Sequence, residues 1–280
     1  MHSEPERYDS DRRRLAAALR ALRKAAAMTG VRAAEASGMS QPKISKLENG
    51  RLLPAREDVE TLLALYGASS SEREELLELA AGLHTMVESN DALRRRGSAQ
   101  KQDRIRRVES SATALRFFSP VMVPGLLQTA EYIRRVITLV LSGPEVARTT
   151  AAKQERQQAL YDPGRRFAFV LTEAVLRWGF CPGDVMAAQL AHIASIATLT
   201  NVEVGVIPFS ARPGDTPLHG YQIYDERMVT ISLEHASVTV TEPRDVAVYL
   251  RMFQTMSEAA VFGAEARELL LSASREQAER

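Results

Sequence analysis

The sequence predicts two domains of different class: an N-terminal all-α bundle of about five helices, and a C-terminal α+β domain with a four- to five-stranded sheet and flanking helices. The chain has 280 residues, which is long enough for two domains. Apolar residues in the first third recur at helical spacing, whereas short strand-like runs begin only after residue 111. We therefore assign residues 1–85 to the first domain, 86–110 to a connector helix or linker, and 111–280 to the second domain.

The helices of the first domain appear as apolar stripes. Leu15, Leu19 and Leu22 mark the first helix, and residues 29–37 form the second, which ends at a turn containing Gly38. Further helices are predicted over residues 40–50, 59–66 and 71–83. Two helices joined by a glycine-containing turn, as in residues 29–50, form a helix-turn-helix.

The helix within residues 40–50 has a defined start and end. Ser40 can cap its first turn, and Pro42 is tolerated there because the first amides have no intrahelical partner. Gly50 permits a left-handed exit. Ile44 and Leu47 are spaced to share one face, which we expect to anchor the helix.

The opposite face of this helix is polar. It carries Gln41, Lys43 and Lys46, whose amide and ammonium groups are suited to base edges and phosphates. A short helix with an apolar anchor and such an outer face is suited to the major groove of double-stranded DNA.

Charge is unevenly distributed along the first domain. Residues 12–56 contain eleven lysines and arginines against two acids, a net charge of +9. Residues 57–85 contain one arginine against seven acids, a net charge of −6. The positive end therefore coincides with the motif and would attract a polyanion, although a basic run such as 12–14 is also typical of solvated surface.

Residues 15–67 resemble the Xre/Cro-type helix-turn-helix family of bacterial and phage repressors, through the pattern S-Q-x-x-I-S-x-L-E-N-G at Ser40 to Gly50. The resemblance implies base contacts from Gln41, Pro42 and Lys46. It also implies phosphate contacts from a second set of residues: Arg32, Lys43, Asn49, Arg51 and, near the minor groove, Arg56. The first motif helix of the family often opens with a phosphate-binding glutamine, and here that position is Gly30. Phosphate contact from that helix is then expected from its backbone amides or from Arg32.

Composition excludes several other classes. No run of eighteen apolar residues predicts a membrane span, and the polar first residues do not fit a secretory signal. The single cysteine, Cys181, forbids an internal disulfide and fits a reducing cytoplasm, where the protein would join the nucleoid when bound to DNA. Since neither zinc spacing nor a glycine-rich phosphate loop is present, we predict no metal and no cofactor.

The predicted connector, residues 86–110, has three parts. Met86 to Leu93 is weakly helical, residues 94–98 form a polar break, and Gln100 to Glu109 is a charged helix. A solvated connector helix is the favoured interpretation, and contact with DNA flanks is the alternative.

The second domain mixes strands and helices. Strands are predicted over residues 113–118, 167–171, 202–207, 221–224, 229–233 and 238–240. Helices are predicted over residues 125–141, 145–160, from 172, 183–199, 244–262 and 264–273.

This second half is also similar to a known family. Val123 to Tyr132 resembles the hallmark of an uncharacterised regulatory domain that follows Xre-type domains in filamentous, spore-forming soil bacteria. Similar residues fall at 155–156, 172–176, 189–190 and 204–209. The resemblance implies a developmental or antibiotic-production regulator, often encoded beside a small acidic partner protein and in some members antitoxin-like toward it.

No catalytic residues are predicted. The acids, histidines and cysteine of the second domain show no spacing that demands chemistry; they are Glu131, Glu155, Glu173, Cys181, His192, His219 and His235. Glu173 begins a helix, where a carboxylate suits the dipole. The long loop over residues 210–220, with Arg212, Asp215 and His219, is the best candidate to bind a partner or ligand, although mobile surface is the commoner role of such loops.

Three hypotheses follow. The first is a sequence-specific transcriptional regulator that binds a two-fold operator as a homodimer, with half-sites about 34 Å apart, and receives a signal through its second domain. The second is an antitoxin-like module that binds a small acidic partner and represses its own operon. The third, least favoured, is an enzyme with a DNA-targeting head.

Overall fold

The structure is a computed structural model that describes residues 4–89 and 98–280. The chain divides into two compact units. The first unit comprises residues 1–88 together with 238–245, and the second comprises 89–237 together with 246–280. A short segment from late in the chain therefore belongs to the first unit.

Five helices form the first unit, as the periodicity predicts. They are α1 (Glu4–Ala25), α2 (Gly30–Ser37), α3 (Gln41–Glu48), α4 (Arg56–Leu65) and α5 (Ser70–His84). Their apolar stripes meet in one core, in which Leu19, Ile44, Leu47, Leu62 and Leu63 are buried. Burial of these side chains is the main stabilising contribution to a unit of this size.

A strand follows α5 where a helix was predicted. Met86 to Leu93 was expected to be weakly helical, but β1 (Thr85–Ser89) is extended. Residues 90–97, which include all of the predicted polar break at 94–98 except Ser98, lie outside the described part. The partner of β1 is the end of β7 (Ala236–Val240), and just beyond that strand the Thr241 amide donates to the His84 carbonyl at 2.9 Å. The prediction was wrong because strand pairing over more than 150 residues is invisible to local periodicity.

The segment of residues 238–245, which we call the return segment, is tied to the helices by side chains. Buried His84 lies with Nε2 2.6 Å from the Pro54 carbonyl and Nδ1 3.1 Å from the Thr241 hydroxyl. Arg244 pairs with Glu57 at 2.6 Å. The return segment is thus an integral part of the first unit.

The second unit is built on a six-stranded mixed sheet, which confirms the predicted α+β class. Its strands are β2 (Ala114–Ser119), β3 (Arg166–Thr172), β4 (Val202–Ile207), β5 (Tyr221–Tyr224), β6 (Met228–Ser232) and the start of β7, in the order β7-β6-β5-β2-β3-β4. Strands β2, β3 and β4 are parallel, and β5 is antiparallel to both β2 and β6. The sheet has one strand more than the upper end of the predicted range.

Seven helices of the second unit are described. They are α6 (Ser98–Ser110), α7 (Ala130–Thr138), α8 (Pro144–Gln157), α9 (Glu173–Arg177), α10 (Gly183–Ile196), α11 (Pro243–Glu258, from residue 246) and α12 (Gly263–Ala278). Helices α10 and α12 pack closely: a Cβ on Gly183 would lie 2.1 Å from the Gln277 carbonyl oxygen, so only glycine fits there. The core beside the sheet is aromatic, with the rings of Phe117 and Phe169 stacked at 4.7 Å.

The single helix predicted over residues 125–141 is interrupted. Gly125–Leu127 is a 3-10 turn, Gln128 is extended, and α7 begins only at Ala130, capped by Thr129. The backbone groups at this break are hydrogen-bonded by fully buried Gln189. Its side chain accepts from the Thr129 amide at 2.7 Å and donates to the Leu127 carbonyl at 2.6 Å. The prediction was wrong because this interruption depends on a side chain sixty residues later.

Helix α6 is not the solvated connector that the sequence suggested. Arg156 of α8 pairs with Glu109 of α6 through two hydrogen bonds of 2.6 and 3.0 Å, and it also donates to Gln102. All three side chains are buried. Because a buried ion pair is stable only with its partners in place, α6 is held against α8 within the second unit.

Candidate nucleic-acid interface

The two motif helices are capped and joined by a tight turn. Thr29 caps α2 by accepting from the Arg32 amide at 3.2 Å, and Ser40 caps α3 by accepting from the Lys43 amide at 3.3 Å. Between them Gly38 has φ +70°, a left-handed conformation that favours glycine. These caps fix where each helix begins.

Helix α3 is anchored on one face only. Ile44 and Leu47 are 1% and 2% exposed, in the core of the first unit. The helix ends at Glu48, and the chain leaves it through Gly50, which has φ +64°. The Arg51 amide closes the last turn by donating to the Lys46 carbonyl at 2.8 Å. The anchor and the exit lie where the sequence places them.

The outer face of α3 is available to a partner. Gln41, Pro42 and Lys46 are all exposed, as is Asn49, whose amide donates to the Ser45 carbonyl at 2.7 Å. The Gln41 amide nitrogen lies 3.7 Å from the position of a Cβ on Gly30, so the head of α3 is next to the start of α2. Here a side-chain amide lies beside first-turn backbone amides that have no intrahelical acceptor.

An ion pair that the sequence reasoning missed holds α3 in position. Arg23 of α1 donates to Glu48 at the end of α3 through two hydrogen bonds of 2.7 and 2.8 Å, and to the Met28 carbonyl at 2.7 Å. The hydrogen bonds to Glu48 raise the pKa of Arg23. A glutamate one residue after buried Leu47 was the only sequence signal.

Two residues expected to contact phosphate instead hold carboxylates of α4. Lys43 pairs with Asp58 at 2.7 Å, and Arg56 pairs with Glu60 at 2.9 Å. Both side chains are partly exposed and therefore accessible to DNA. Each would have to release its carboxylate partner to bind a phosphate.

Besides Arg73 on α5, five exposed basic side chains of the first unit make no ion pair with any described residue. They are Arg20, Lys24, Arg32, Lys46 and Arg51. Arg20 and Lys24, which sequence reasoning counted only as charge, line an open cavity of about 420 Å³ together with alanines of α1 and with Asn49. The basic surface thus extends from the motif onto α1.

The three loop residues singled out in the second unit do not form one polar site. Arg212 and Asp215 are exposed, whereas His219 lies against the rings of Tyr221 and Tyr249, with centroids 6.4 and 6.0 Å away. Their loop runs from residue 208 to residue 220, between β4 and β5.

The pKa values of three groups considered for catalysis are shifted by burial or by hydrogen bonds and ion pairs within the second unit. Burial acts to raise the pKa of Glu173, but the Phe209 amide and Arg177 bind its carboxylate and lower the pKa overall. Burial lowers the pKa of His192 and raises that of the Cys181 thiol. No group of three or more potential metal ligands is found among the described residues.

The motif and the sheet together define the class of protein: a helix-turn-helix domain followed by an α+β domain. Residues 14–76 match a family model described as a helix-turn-helix domain. Residues 102–272 match a domain of unknown function (DUF5753), and the chain belongs to this family. No curated protein matches the sequence.

Solved structures resemble the chain only distantly. TrmBL2, an archaeal chromatin protein with a novel mode of DNA binding, is 16% identical at a TM-score of 0.36, and the match covers 73% of this chain and 66% of that one. NucT from Helicobacter pylori is 9% identical at 0.37, over 64% of this chain and 98% of its own. Nuc from Salmonella typhimurium, a phospholipase D family member, is 13% identical at 0.34, over 64% and 97%. Within the described residues, every helix is too short or too polar to span a bilayer.

Proposed function

We propose that the protein is a sequence-specific transcriptional regulator that reads double-stranded DNA with α3. The observation that carries the proposal is the two-sided character of this helix. Ile44 and Leu47 are buried on one face, while Gln41, Pro42 and Lys46 are exposed on the other. A capped helix of this kind is the reading element of helix-turn-helix proteins.

Base readout is assigned to the exposed face of α3. An amide such as Gln41 can make two hydrogen bonds to adenine, a lysine such as Lys46 favours guanine, and the Pro42 ring can contact a thymine methyl. The Ser40 cap and the Arg23–Glu48 pair hold this face in place, which reduces the entropy lost on binding.

Phosphate contacts are assigned to the basic residues that are not paired with acids. Arg32 and Arg51 flank the motif, and Arg20 and Lys24 extend the positive surface beside Asn49. The first-turn amides of α2 supply a further anion contact, since α2 opens with Gly30 in place of a longer side chain. Lys43 and Arg56 contribute less, because each would give up a carboxylate.

We further propose that the protein binds as a homodimer to a two-fold operator, with half-sites about 34 Å apart. The second unit would dimerise and receive the signal, and it has no catalytic role in this proposal. The surroundings of Glu173, one of the acids considered for catalysis, support the absence of a catalytic role. Its carboxylate already accepts a hydrogen bond from the Phe209 amide and pairs with Arg177.

Genome-wide capture of DNA by the intact protein tests the proposal, because it yields both site and spacing. We expect an inverted repeat, and gel shifts in which Lys46→Ala weakens the site and alters its preference. Arg73→Ala, an exposed arginine on acidic α5, is the matched control and should leave binding unchanged. Capture of DNA without an enriched sequence would contradict the proposal.

In a second candidate function, the basic surface binds a small acidic partner protein in place of DNA. Arg20 and Lys24 line an open cavity together with three alanines of α1, a mixture of basic and apolar groups that suits a small acidic protein as well as a phosphate backbone. In this antitoxin-like version the partner and DNA would compete. Displacement of labelled operator by a small acidic protein encoded in the adjacent gene supports it, and simultaneous binding of both argues against it.

A further inference from the structure

The loop between β4 and β5, residues 208–220, crosses one edge of the sheet in the second unit. We call this loop the strap. Strands β2, β3 and β4 end at the same edge, since Ser119 pairs with Leu171 and Thr172 with Ile207. Strand β5 begins there, because Tyr221 pairs with Phe118. Two strands separate β4 from β5, so the strap must span roughly 14 Å along this edge.

Contacts hold the strap at three places along its length. The Phe209 amide donates to Glu173 at 2.8 Å, at the start of α9. A Cβ on Gly214 would lie 3.7 Å from the Thr255 methyl group of α11. A Cβ on Gly220 would lie 3.1 Å from the Phe118 carbonyl oxygen, so the end of the strap lies directly against β2. The strap therefore covers the carboxyl ends of the parallel strands, where open α/β sheets bind ligands.

Four rings lie together at the end of the strap. The ring of Tyr221 is 5.4 Å from that of Phe118 and 5.1 Å from that of Tyr249, and the His219 ring is 6.0 Å from Tyr249. Phe118 and Tyr221 are buried, whereas His219 and Tyr249 are partly exposed. Because aromatic rings attract one another beyond the area they bury, the two partly exposed rings favour an aromatic partner.

Tyr221 has an unusual polar atom. Its side chain is 2% exposed, and its buried hydroxyl has no hydrogen-bond partner among the described residues. Burial, Tyr249 and Asp215 all raise the pKa of Tyr221. Tyr224 of the same strand is buried too, but its hydroxyl donates to Gln222 at 2.8 Å. An unpartnered buried donor is costly, so an acceptor that reached the Tyr221 hydroxyl would bind favourably.

Apolar side chains at the same edge are exposed to solvent. Leu218 and Phe209 of the strap are 94% and 66% exposed, and Val121 and Met122 follow β2. Exposed apolar side chains gathered in one region mark binding surfaces.

We propose that the strap and the carboxyl edge of β2–β4 bind an aromatic small molecule bearing a hydroxyl or carbonyl oxygen. The Tyr221 hydroxyl donates to that oxygen, the partly exposed rings of His219 and Tyr249 contact the aromatic part, and Leu218 packs over it. The site lies wholly within the second unit, so it is independent of the proposal for DNA.

The first measurement is thermal unfolding of the full-length protein. Tyr221→Phe should leave the midpoint unchanged or raise it, because the lost hydroxyl has no partner. Tyr224→Phe is the matched control and should lower the midpoint, because it breaks the hydrogen bond to Gln222. If both substitutions lower the midpoint equally, the Tyr221 hydroxyl already has an acceptor and the proposal fails.

The second measurement titrates 2-naphthol into the same proteins by calorimetry. We expect saturable binding to the wild type, weakened about three- to tenfold by Tyr221→Phe, as for loss of one hydrogen bond. Leu218→Asp should weaken it without a change in midpoint, and Tyr224→Phe should not weaken it. Absence of binding up to the solubility limit, or equal binding to wild type and Tyr221→Phe, would overturn the proposal.

Discussion

Arg23 holds Glu48 through two parallel hydrogen bonds of 2.7 and 2.8 Å, and this pair joins the end of α1 to the last residue of α3. Glu48 is 8% exposed, so its carboxylate depends on Arg23 for a charge partner. The orientation of α3 is therefore linked to a helix outside the motif.

Replacement of Arg23 by methionine should destabilise the first unit by about 3 kcal/mol, because it leaves the Glu48 carboxylate buried and unpaired. Urea unfolding measures the loss. Arg14→Met is the matched control: Arg14 pairs with Glu75 at an exposed site, and its loss should cost below about 1 kcal/mol. Equal losses of unfolding free energy in the two variants would show that the buried Arg23–Glu48 pair stabilises the protein no more than an exposed pair.

Gln41→Ala should relax base preference at one position of each half-site and cost about 1–3 kcal/mol in specific binding. The reason is that the exposed amide at the head of α3 can both donate to and accept from one base. A gel-shift panel with each operator base pair changed in turn measures the preference. An unchanged preference would contradict the assigned readout.

Arg51→Ala and Arg20→Ala should each weaken binding to all sequences alike and reduce the salt slope by about one. Both side chains are exposed and make no ion pair with a described residue. Arg56→Ala is the comparison, and its effect on the slope should be smaller because Glu60 already holds Arg56. Binding isotherms at several salt concentrations give the slopes, and a larger effect for Arg56 would reverse the assignment.

Asp225 should make stability depend on pH in the acid range. Its partial burial acts to raise the pKa, but the amides of Ala114 and Thr113 and the Arg227 guanidinium lower the pKa of Asp225 overall. A depressed pKa in the folded state contributes stability above the unfolded value, near 3.9, and the contribution is lost as pH falls through the folded value.

Asp225→Asn should therefore be less stable than wild type at pH 6, by about 1–2 kcal/mol. The two proteins should converge as pH falls below about 4. Urea unfolding at intervals between pH 6 and pH 3 follows the difference. A constant difference over that range would mean that the charge of Asp225 does not contribute.

Local patterns predicted the helices of the first unit, because each has an apolar stripe and three have hydroxyl caps, at Thr29, Ser40 and Ser69. They failed where a distant residue decides the structure. Strand β1 needs β7, and the break before α7 needs Gln189.

In the candidate interface too, features within one helix were predictable from the sequence and contacts between helices were not. The exposed face of α3 follows from the positions of Ile44 and Leu47. The Arg56–Glu60 pair could also be predicted from the sequence, since the two residues are four apart on one helix. The Lys43–Asp58 and Arg23–Glu48 pairs join different helices, and only the folded structure brings these charges together.

The return segment has a consequence for how the first unit can be exchanged between proteins. Thr241 and Arg244, which contact His84 and Glu57, are encoded far from the five helices. Recombination that transplants residues 4–89 alone would leave His84 without the Thr241 hydroxyl and Glu57 without the Arg244 guanidinium. A chimera that recovers the native first unit therefore needs both pieces of the gene, or a new partner for each of these side chains.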